Sequence, residues 1–329
     1  MIFFGLETSC DETSWCLAEF NKTGHQCLHL TTCTQQVHEK YGGVVPEVSS
    51  RQHIEKFQSH FDEISDLVSK CDVIAVTEGP GLKGALLVGV NFASALSISQ
   101  NKPCIPVDHI EAHLLSPMIN SELNPPFISV VLSGGHTAIF FVEENLNLRL
   151  LSKTLDDAIG EAFDKIGLLL GCGYPYGRNL AVMADSFDGE ILDLPIPLKG
   201  DVNFSFSGFK TAVKRLVSEL QFLSDFHKHQ IAASVQNALI ETVLEKLRLI
   251  FKTFGEFPVG FSGGVSSNNF LRKKLTSEFP HSKIFFPPES LCLDNAFITC
   301  FAAFKKLKRG KVEIRLPKVY SRWKVATNH

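Results

Sequence analysis

Phe127-Ile128-Ser129-Val130-Val131-Leu132-Ser133-Gly134-Gly135-His136-Thr137 is an apolar strand that runs into a small polar turn, and a second strand follows from Thr137 to Val142. The chain opens in the same way. Ile2 to Leu6 is a strand, Glu7-Thr8-Ser9-Cys10-Asp11-Glu12 is a polar turn, and Ser14 to Phe20 is a strand. Two strand–turn–strand units a domain's length apart predict a duplicated fold. A third strand is expected at 26–33, and a helix from Pro46 to Val68, where Ile54, Phe57, Phe61, Ile64 and Val68 recur at spacings of three and four. Asp72 to Val76 reads as a buried strand, closed by Gly79-Pro80-Gly81, with a helix to about Gln100 and a strand from Cys104 to Val107. That order is a βαβ unit with a parallel sheet.

Beyond the second opening, Gly160 to Phe254 is expected to be mainly helical, with strong periodicity from Ile231 to Phe251. Pro258 to Phe261 and Ile284 to Phe286 read as strands, and helices are expected from about Asn269 and from Asp294 to Lys308. The fold class is therefore α/β and duplicated. The predicted lobes are 1–115 with 295–329, and 116–294 with a helical insertion at about 160–254.

Composition narrows the functional classes. A chain of 329 residues with formal net charge −3 is a globular protein of about two domains, not a general polyanion binder. No apolar run approaches the ~20 residues of a membrane span, and the opening residues show neither a secretory nor a transit pattern, so a cytoplasmic protein is expected unless an import signal was trimmed. The nine cysteines are scattered singly, which fits reduced thiols in the cytoplasm. Between Lys305 and Lys324 lie nine basic residues and one acid, Glu313, a run that could follow a phosphate backbone or be a solvated tail.

Three groups of residues can carry chemistry. His109 and His113 stand four apart, on one face of a helix, close enough to share one metal ion. Glu111 sits about 200° around that helix from His109, so it cannot serve the pair as a water-activating base, which argues against a zinc protease of the H-E-x-x-H type. Asp294 is a candidate third ligand, although an Asp that opens a helix ordinarily caps it. The turns at Thr8 to Thr13, Ser133 to Thr137 and Ser262 to Asn268 offer hydroxyls, glycines and backbone N–H groups suited to phosphates and nucleotides. The acids of Asp156 to Lys165 suit either a helix N-terminus or ribose and metal recognition.

Taken together, the segments GLETSCDET from Gly5, YGGVVPEVSSRQH from Tyr41, GPGLKGALLVG from Gly79, HIEAHLLSP from His109, LSGGHT from Leu132, DDAIGEAFDK from Asp156, FSFSGFKT from Phe204, SGGVSSN from Ser262 and LDNA from Leu293 resemble the tRNA threonylcarbamoyladenosine transferases of the bacterial TsaD type, once described as glycoproteases. The resemblance spans nearly the whole chain. It implies an actin-like ATPase fold, shared with sugar kinases and heat-shock chaperones, with a ligand held between two lobes. It implies transfer of a threonylcarbamoyl group from threonylcarbamoyl-adenylate to the N6 amine of adenosine 37 in tRNAs that read codons beginning with adenine. His109, His113 and Asp294 match the family's metal ligands, for Fe(II) or Zn. Val131, Leu132, Ser133, Gly134, Gly135, Asp164, Gly177 and Asn268 match its substrate-binding positions, and Asp11 and Glu12 its acidic catalytic turn. Family partners are tRNA, an inactive paralogue and a P-loop ATPase, or a second copy of the chain. Where the family usually has Tyr-Pro-Gly-Gly-Pro, this chain has Tyr174-Pro175-Tyr176-Gly177-Arg178, and it has Asn269 where an Arg often follows. A metalloprotease and an ATPase or kinase of the same fold remain as alternatives.

Overall fold

The computed structural model describes residues 1–21, 24–310 and 315–322, so Lys311, Glu313 and Lys324 of the basic run lie outside the described residues. The chain divides into two compact units, Met1–Ile119 together with the described residues from Leu293 on, and Asn120–Cys292. Asp294, read from the sequence as the end of the second lobe, belongs to the first unit, which also holds His109 and His113.

In the first unit, β1 (Ile2–Glu7), β2 (Glu12–Phe20) and β3 (His25–Thr34) form an antiparallel meander. α1 (Pro46–Ser59) and α2 (Phe61–Ser69) follow, then β4 (Val73–Gly79), α3 (Lys83–Gln100), β5 (Cys104–Asp108) and α4 (His109–Leu115). β4 and β5 add to the sheet in parallel, giving the order β3-β2-β1-β4-β5. One face of the sheet packs Phe4, Leu6, Trp15, Ile74 and Val76 against Phe57, Ile64, Val68, Val90 and Ala93 of the helices. The last helix (Ala296–Lys308) lies on β1, β2 and β4, and its Phe297 and Phe304 stack on Phe20 at 6.1 and 4.9 Å.

The second unit repeats this plan. β6 (Phe127–Leu132), β7 (Thr137–Val142) and β8 (Leu148–Lys153) form an antiparallel meander. After four helices, α5 (Ile159–Leu169), α6 (Tyr176–Asp185), α7 (Ser207–Glu219) and α8 (Asp225–Phe254), the chain forms β9 (Val259–Ser262), α9 (Asn269–Glu278) and β10 (Ile284–Phe285). β9 and β10 join in parallel, and the order β10-β9-β6-β7-β8 is the first sheet's order in the corresponding strands. The core sets Val130, Leu132 and Phe261 against Ile159, Phe163, Ile166, Val235 and Leu239, all buried.

Three sequence expectations need correction. The single helix expected from Pro46 to Val68 breaks at His60 (φ −118°), whose N–H still bonds back to the Lys56 carbonyl at 3.2 Å. Both halves bury residues in the same core, so the apolar spacing runs through the break and hides it. β8 was not expected, because Leu148 to Lys153 is a half-exposed edge strand without clear alternation. The last helix begins at Ala296, not Asp294, and its cap is Asn295.

Two features bear on other readings. Gly263 has φ +86°, and a side chain there would also collide with the carbonyl of Leu132. Gly263→Ala is therefore expected to lower stability by ~1–3 kcal/mol in urea unfolding of the full chain. Part of the basic run is engaged in folding: Lys306 pairs with Glu111 at 2.7 Å, and Arg315 grips Glu78 with two bonds of 2.9 and 2.7 Å. Those charges are not spare for a phosphate backbone. No helix among the described residues is long and apolar enough to cross a membrane.

Candidate metal centre and nucleotide-facing turns

α4 follows β5 directly, and Asp108 caps it by accepting from the Glu111 N–H at 2.9 Å. One turn of this helix then carries His109 and His113 on the same side, both buried, with ring centroids 4.8 Å apart. Asn295 accepts from Phe297 N and Ile298 N at 3.1 and 3.2 Å and so takes over the capping of the last helix. Asp294, relieved of that role, points its Oδ1 at His113 Nε2 (2.9 Å) and His109 Nε2 (3.7 Å). The three ligand atoms lie within 4.8 Å of one another.

Glu7, at the end of β1, orients the first imidazole. Its Oε2 lies 3.3 Å from His109 Nδ1 and accepts from the Thr77 hydroxyl at 2.6 Å, while its Oε1 accepts from Ser9 N at 2.5 Å. The Ser9 hydroxyl is 3.2 Å from the same Nδ1. With Nδ1 engaged on this side, Nε2 is the nitrogen presented to Asp294. Burial pulls His109 down, but the Asp294 and Glu7 carboxylates push it up to about 9. Burial works to raise Glu7, but the neighbouring imidazole prevails and holds it below its ordinary value. Among the described residues His113 Nδ1 is buried with no hydrogen-bond partner, so of the two imidazoles His109 is the one with a carboxylate behind it there. Two imidazole Nε2 atoms and one carboxylate oxygen, with further positions open, suit a Zn or Fe(II) ion. A carboxylate behind a ligating histidine is the usual support for such an ion.

Asp11 ends the turn from β1 to β2 and Glu12 opens β2, both half-buried. Burial, and then the Asp11 and Asp294 carboxylates, push Glu12 well above its ordinary value. Asp11, Glu12, Asp294 and Glu7 thus crowd negative charge into one corner of the first unit, which favours a cation there. Glu111 faces elsewhere, in its ion pair with Lys306. No carboxylate is therefore set on that helix to activate water, as the spacing predicted.

In the second unit, β6 delivers Val131 and Leu132 to the turn Ser133–His136, which closes through Ser133 N to the His136 carbonyl at 2.8 Å. Gly134 and Gly135 are exposed. The Ser133 carbonyl accepts from Gly160 N at 3.2 Å, which ties the turn to the start of α5. Gly263 abuts Leu132 and Ser133, so the Ser262 to Asn268 turn shares the same end of the sheet. Asp164 accepts from Gly177 N at 2.8 Å, and a side chain at Gly177 would stand 2.9 Å from Asp164 Oδ1 and from Phe163 Cβ. That close approach leaves no room for a side chain at position 177, beside Tyr176, whose ring packs edge-on against Tyr174 at 5.6 Å. Asn268 caps α9 by accepting from Leu271 N at 2.9 Å and donates to Gln236 Oε1 at 2.8 Å, which fixes its orientation and leaves its second N–H unspent by these bonds. The acids before α5 divide in role. Asp157 and Glu161 pair with Lys165 at 2.7 and 2.9 Å, and Asp156 accepts from Phe206 N at 2.7 Å and the Ser207 hydroxyl at 2.8 Å.

Glu7 and Thr77 were not singled out from the sequence, and Ser9 only as a hydroxyl of the Thr8 to Thr13 turn. A buried acid at the end of a strand was the available signal, but nothing local marked its partner a hundred residues on. Glu7→Gln leaves the side chain's size and removes its charge. It is expected to weaken metal binding roughly 10–100-fold, measured by isothermal titration of the metal-free protein with Zn or Fe(II).

The family model and the sequence relatives agree on one family. A family model described as TsaD, tRNA N6-adenosine threonylcarbamoyltransferase, matches residues 26–299. A protein of that name from Thermotoga neapolitana is 40% identical over 317 residues, covering 94% of this chain and 95% of its own. Another from Dichelobacter nodosus is 38% identical over 331 residues, covering 98% and 96%. Among solved structures, T. kodakarensis HypF is similar with a TM-score of 0.65 at 14% identity, over 97% of this chain and 49% of that one. Component A of the Acidaminococcus fermentans (R)-2-hydroxyglutaryl-CoA dehydratase is similar with a TM-score of 0.57 at 12% identity, over 94% and 100%. At such identities the structural likeness bears on the fold alone, the duplicated actin-like arrangement. By its sequence relatives and its family match, the chain belongs to the tRNA N6-adenosine threonylcarbamoyltransferases.

Proposed function

We propose that this chain transfers a threonylcarbamoyl group from threonylcarbamoyl-adenylate to the N6 amine of adenosine 37, in tRNAs reading codons that begin with adenine. The observation that carries the reading is the convergence of His109, His113 and Asp294 beside the Asp11–Glu12 turn. His109, His113 and Asp294 would hold one divalent ion, Fe(II) or Zn. When bound, that ion supplies a Lewis acid that fixes the threonyl part of the substrate and offsets developing charge.

The chain's own residues do the rest. The carbamoyl carbon is already activated as a mixed anhydride, so the task is to hold it still, keep water away and bring the amine near. The N6 nitrogen forms the new bond to that carbon, and the C–O bond to phosphate breaks with its electron pair leaving on AMP. Asp11 takes the proton that N6 loses, late in the step, and Glu12 stands beside it. The Ser133–Gly135 turn, with Val131, Leu132, Asp164, Gly177 and Asn268, would bind the nucleotide. Tyr176 is bulk that the usual family sequence lacks at this place. The target base would be splayed from the anticodon loop, as single-stranded bases commonly are when recognised. The partner set expected for the family, an inactive paralogue with a P-loop ATPase or a second copy of this chain, is part of the proposal, as is a cytoplasmic setting. A protease has no support from Glu111, which is paired with Lys306.

Nucleoside analysis of tRNA from cells depleted of this chain tests the reading. Loss of threonylcarbamoyladenosine is expected, restored by the wild-type chain. Unchanged levels with no second such enzyme present would refute it.

A further inference from the structure

The segment Tyr41 to His53, one of the motifs that carry the family likeness, has no role in the chemistry above, yet it ends in a buried polar cluster. Ser49 and His53 on α1, Gln35 and His38 before it, and Thr13 on β2 are all buried. Their hydrogen bonds converge on the acidic turn. The Cys10 carbonyl accepts from the Ser49 hydroxyl and from His53 Nε2 at 3.1 Å. The other ring nitrogen, Nδ1, lies 2.7 Å from the Thr13 hydroxyl. Cys10 and Thr13 are the residues immediately before and after Asp11 and Glu12.

The bonding fixes the ring's protonation. A carbonyl can only accept, so Nε2 carries the proton and Nδ1 accepts from Thr13. Gln35 Nε2 also donates toward Nδ1 at 3.3 Å, and Gln35 Oε1 is 2.9 Å from His38 Nε2. Val45 N donates to His38 Nδ1 at 3.3 Å, which leaves His38 Nε2 as the donor to Gln35. The Val45 N–H thus fixes which His38 nitrogen donates to Gln35, and the Cys10 carbonyl fixes which His53 nitrogen carries the proton. Burial also depresses His53, in keeping with a neutral ring. Neutrality is useful at this place. A cation would pair with the two acids and quench them, whereas a neutral ring holds only the backbone and hydroxyl on either side.

We propose that His53 is a positioning residue for the transfer reaction: its imidazole bridges Cys10 to Thr13 and so holds Asp11 and Glu12 in the orientation that proton removal from the tRNA amine requires. This rests on the assignment of Asp11 and Glu12 to the reaction.

The test is single-turnover transfer by the full chain with its required partner subunits, using unmodified tRNA and threonylcarbamoyl-adenylate, with bound metal and the unfolding midpoint recorded for each variant. A displacement of about 1 Å at a reacting group costs roughly 100-fold, so His53→Ala is expected to lower kcat by that order, with KM for tRNA and bound metal unchanged. Thr13→Val should share the loss, and Thr13→Ser, which keeps the hydroxyl, should restore the rate. That second pair answers the question if His53→Ala does not fold. The double variant His53→Ala with Asp11→Ala should be no slower than Asp11→Ala alone, because the ring acts through the acids. A wild-type rate for His53→Ala or Thr13→Val, or losses that multiply in the double variant, would overturn the clamp. If Asp11→Ala itself transfers at the wild-type rate, the assignment of the acids falls and the clamp with it. If Asp11→Ala is inactive while His53→Ala is unimpaired, only the clamp falls.

Discussion

His109→Ala is expected to lose bound metal and transfer activity together. Removing a residue that merely supports a ligand already costs roughly 10–100-fold in affinity or activity, so loss of a ligand itself should exceed about 100-fold. The geometry supports a joint loss. Nε2 of His109 and of His113 both face Asp294 Oδ1, at 3.7 and 2.9 Å, so a deleted imidazole leaves one nitrogen and one carboxylate oxygen. The buried Glu7 carboxylate would at the same time lose its imidazole partner. Metal content by plasma emission and single-turnover transfer on the same preparation check this. Full transfer with no metal retained would contradict the role given to the site.

Asp11→Ala is expected to separate the two functions. A positioned general base is worth roughly 10²–10⁴-fold, and the variant should lose rate on that scale while it keeps its metal. The ligand set does not include Asp11, and its removal takes away one of the carboxylates that, after burial, hold Glu12 above its ordinary value. The variant should therefore fold at least as stably as the parent. A drop in metal content equal to the drop in rate would place Asp11 in the ion's support rather than in proton transfer.

Much of the fold was legible because the period of burial was plain. β1, β4 and β6 are almost wholly buried and read as mostly apolar runs, interrupted at Ser129 in β6 and turning polar at the ends of β1 and β4. The repeated strand–turn–strand openings pointed to duplication, and the two sheets share one strand order. The illegible parts have physical causes. The break at His60 leaves the apolar stripe intact. β8 lies at a sheet edge and is half-exposed, so its pattern is weak. At the metal site, the two histidines announced themselves by a helical spacing, whereas Asp294 was only one candidate until the family resemblance named it among the ligands. Sequence favoured it as a cap, and only the neighbouring Asn295, taking both N–H groups of the helix start, turns Asp294 toward the imidazoles. Glu7 and His53 act across 102 and 43 positions, on His109 Nδ1 and the Cys10 carbonyl, and no local pattern encodes contacts of that range.

Anomalous X-ray scattering from crystals of the metal-replete protein, recorded at the absorption edges of Fe and Zn, is the most direct test of the central claim. The account predicts one peak at roughly 2.0–2.2 Å from His109 Nε2, His113 Nε2 and a carboxylate oxygen of Asp294. A metal-replete crystal with no peak there, or with its ion bound elsewhere while Asp294 caps the last helix, would contradict it.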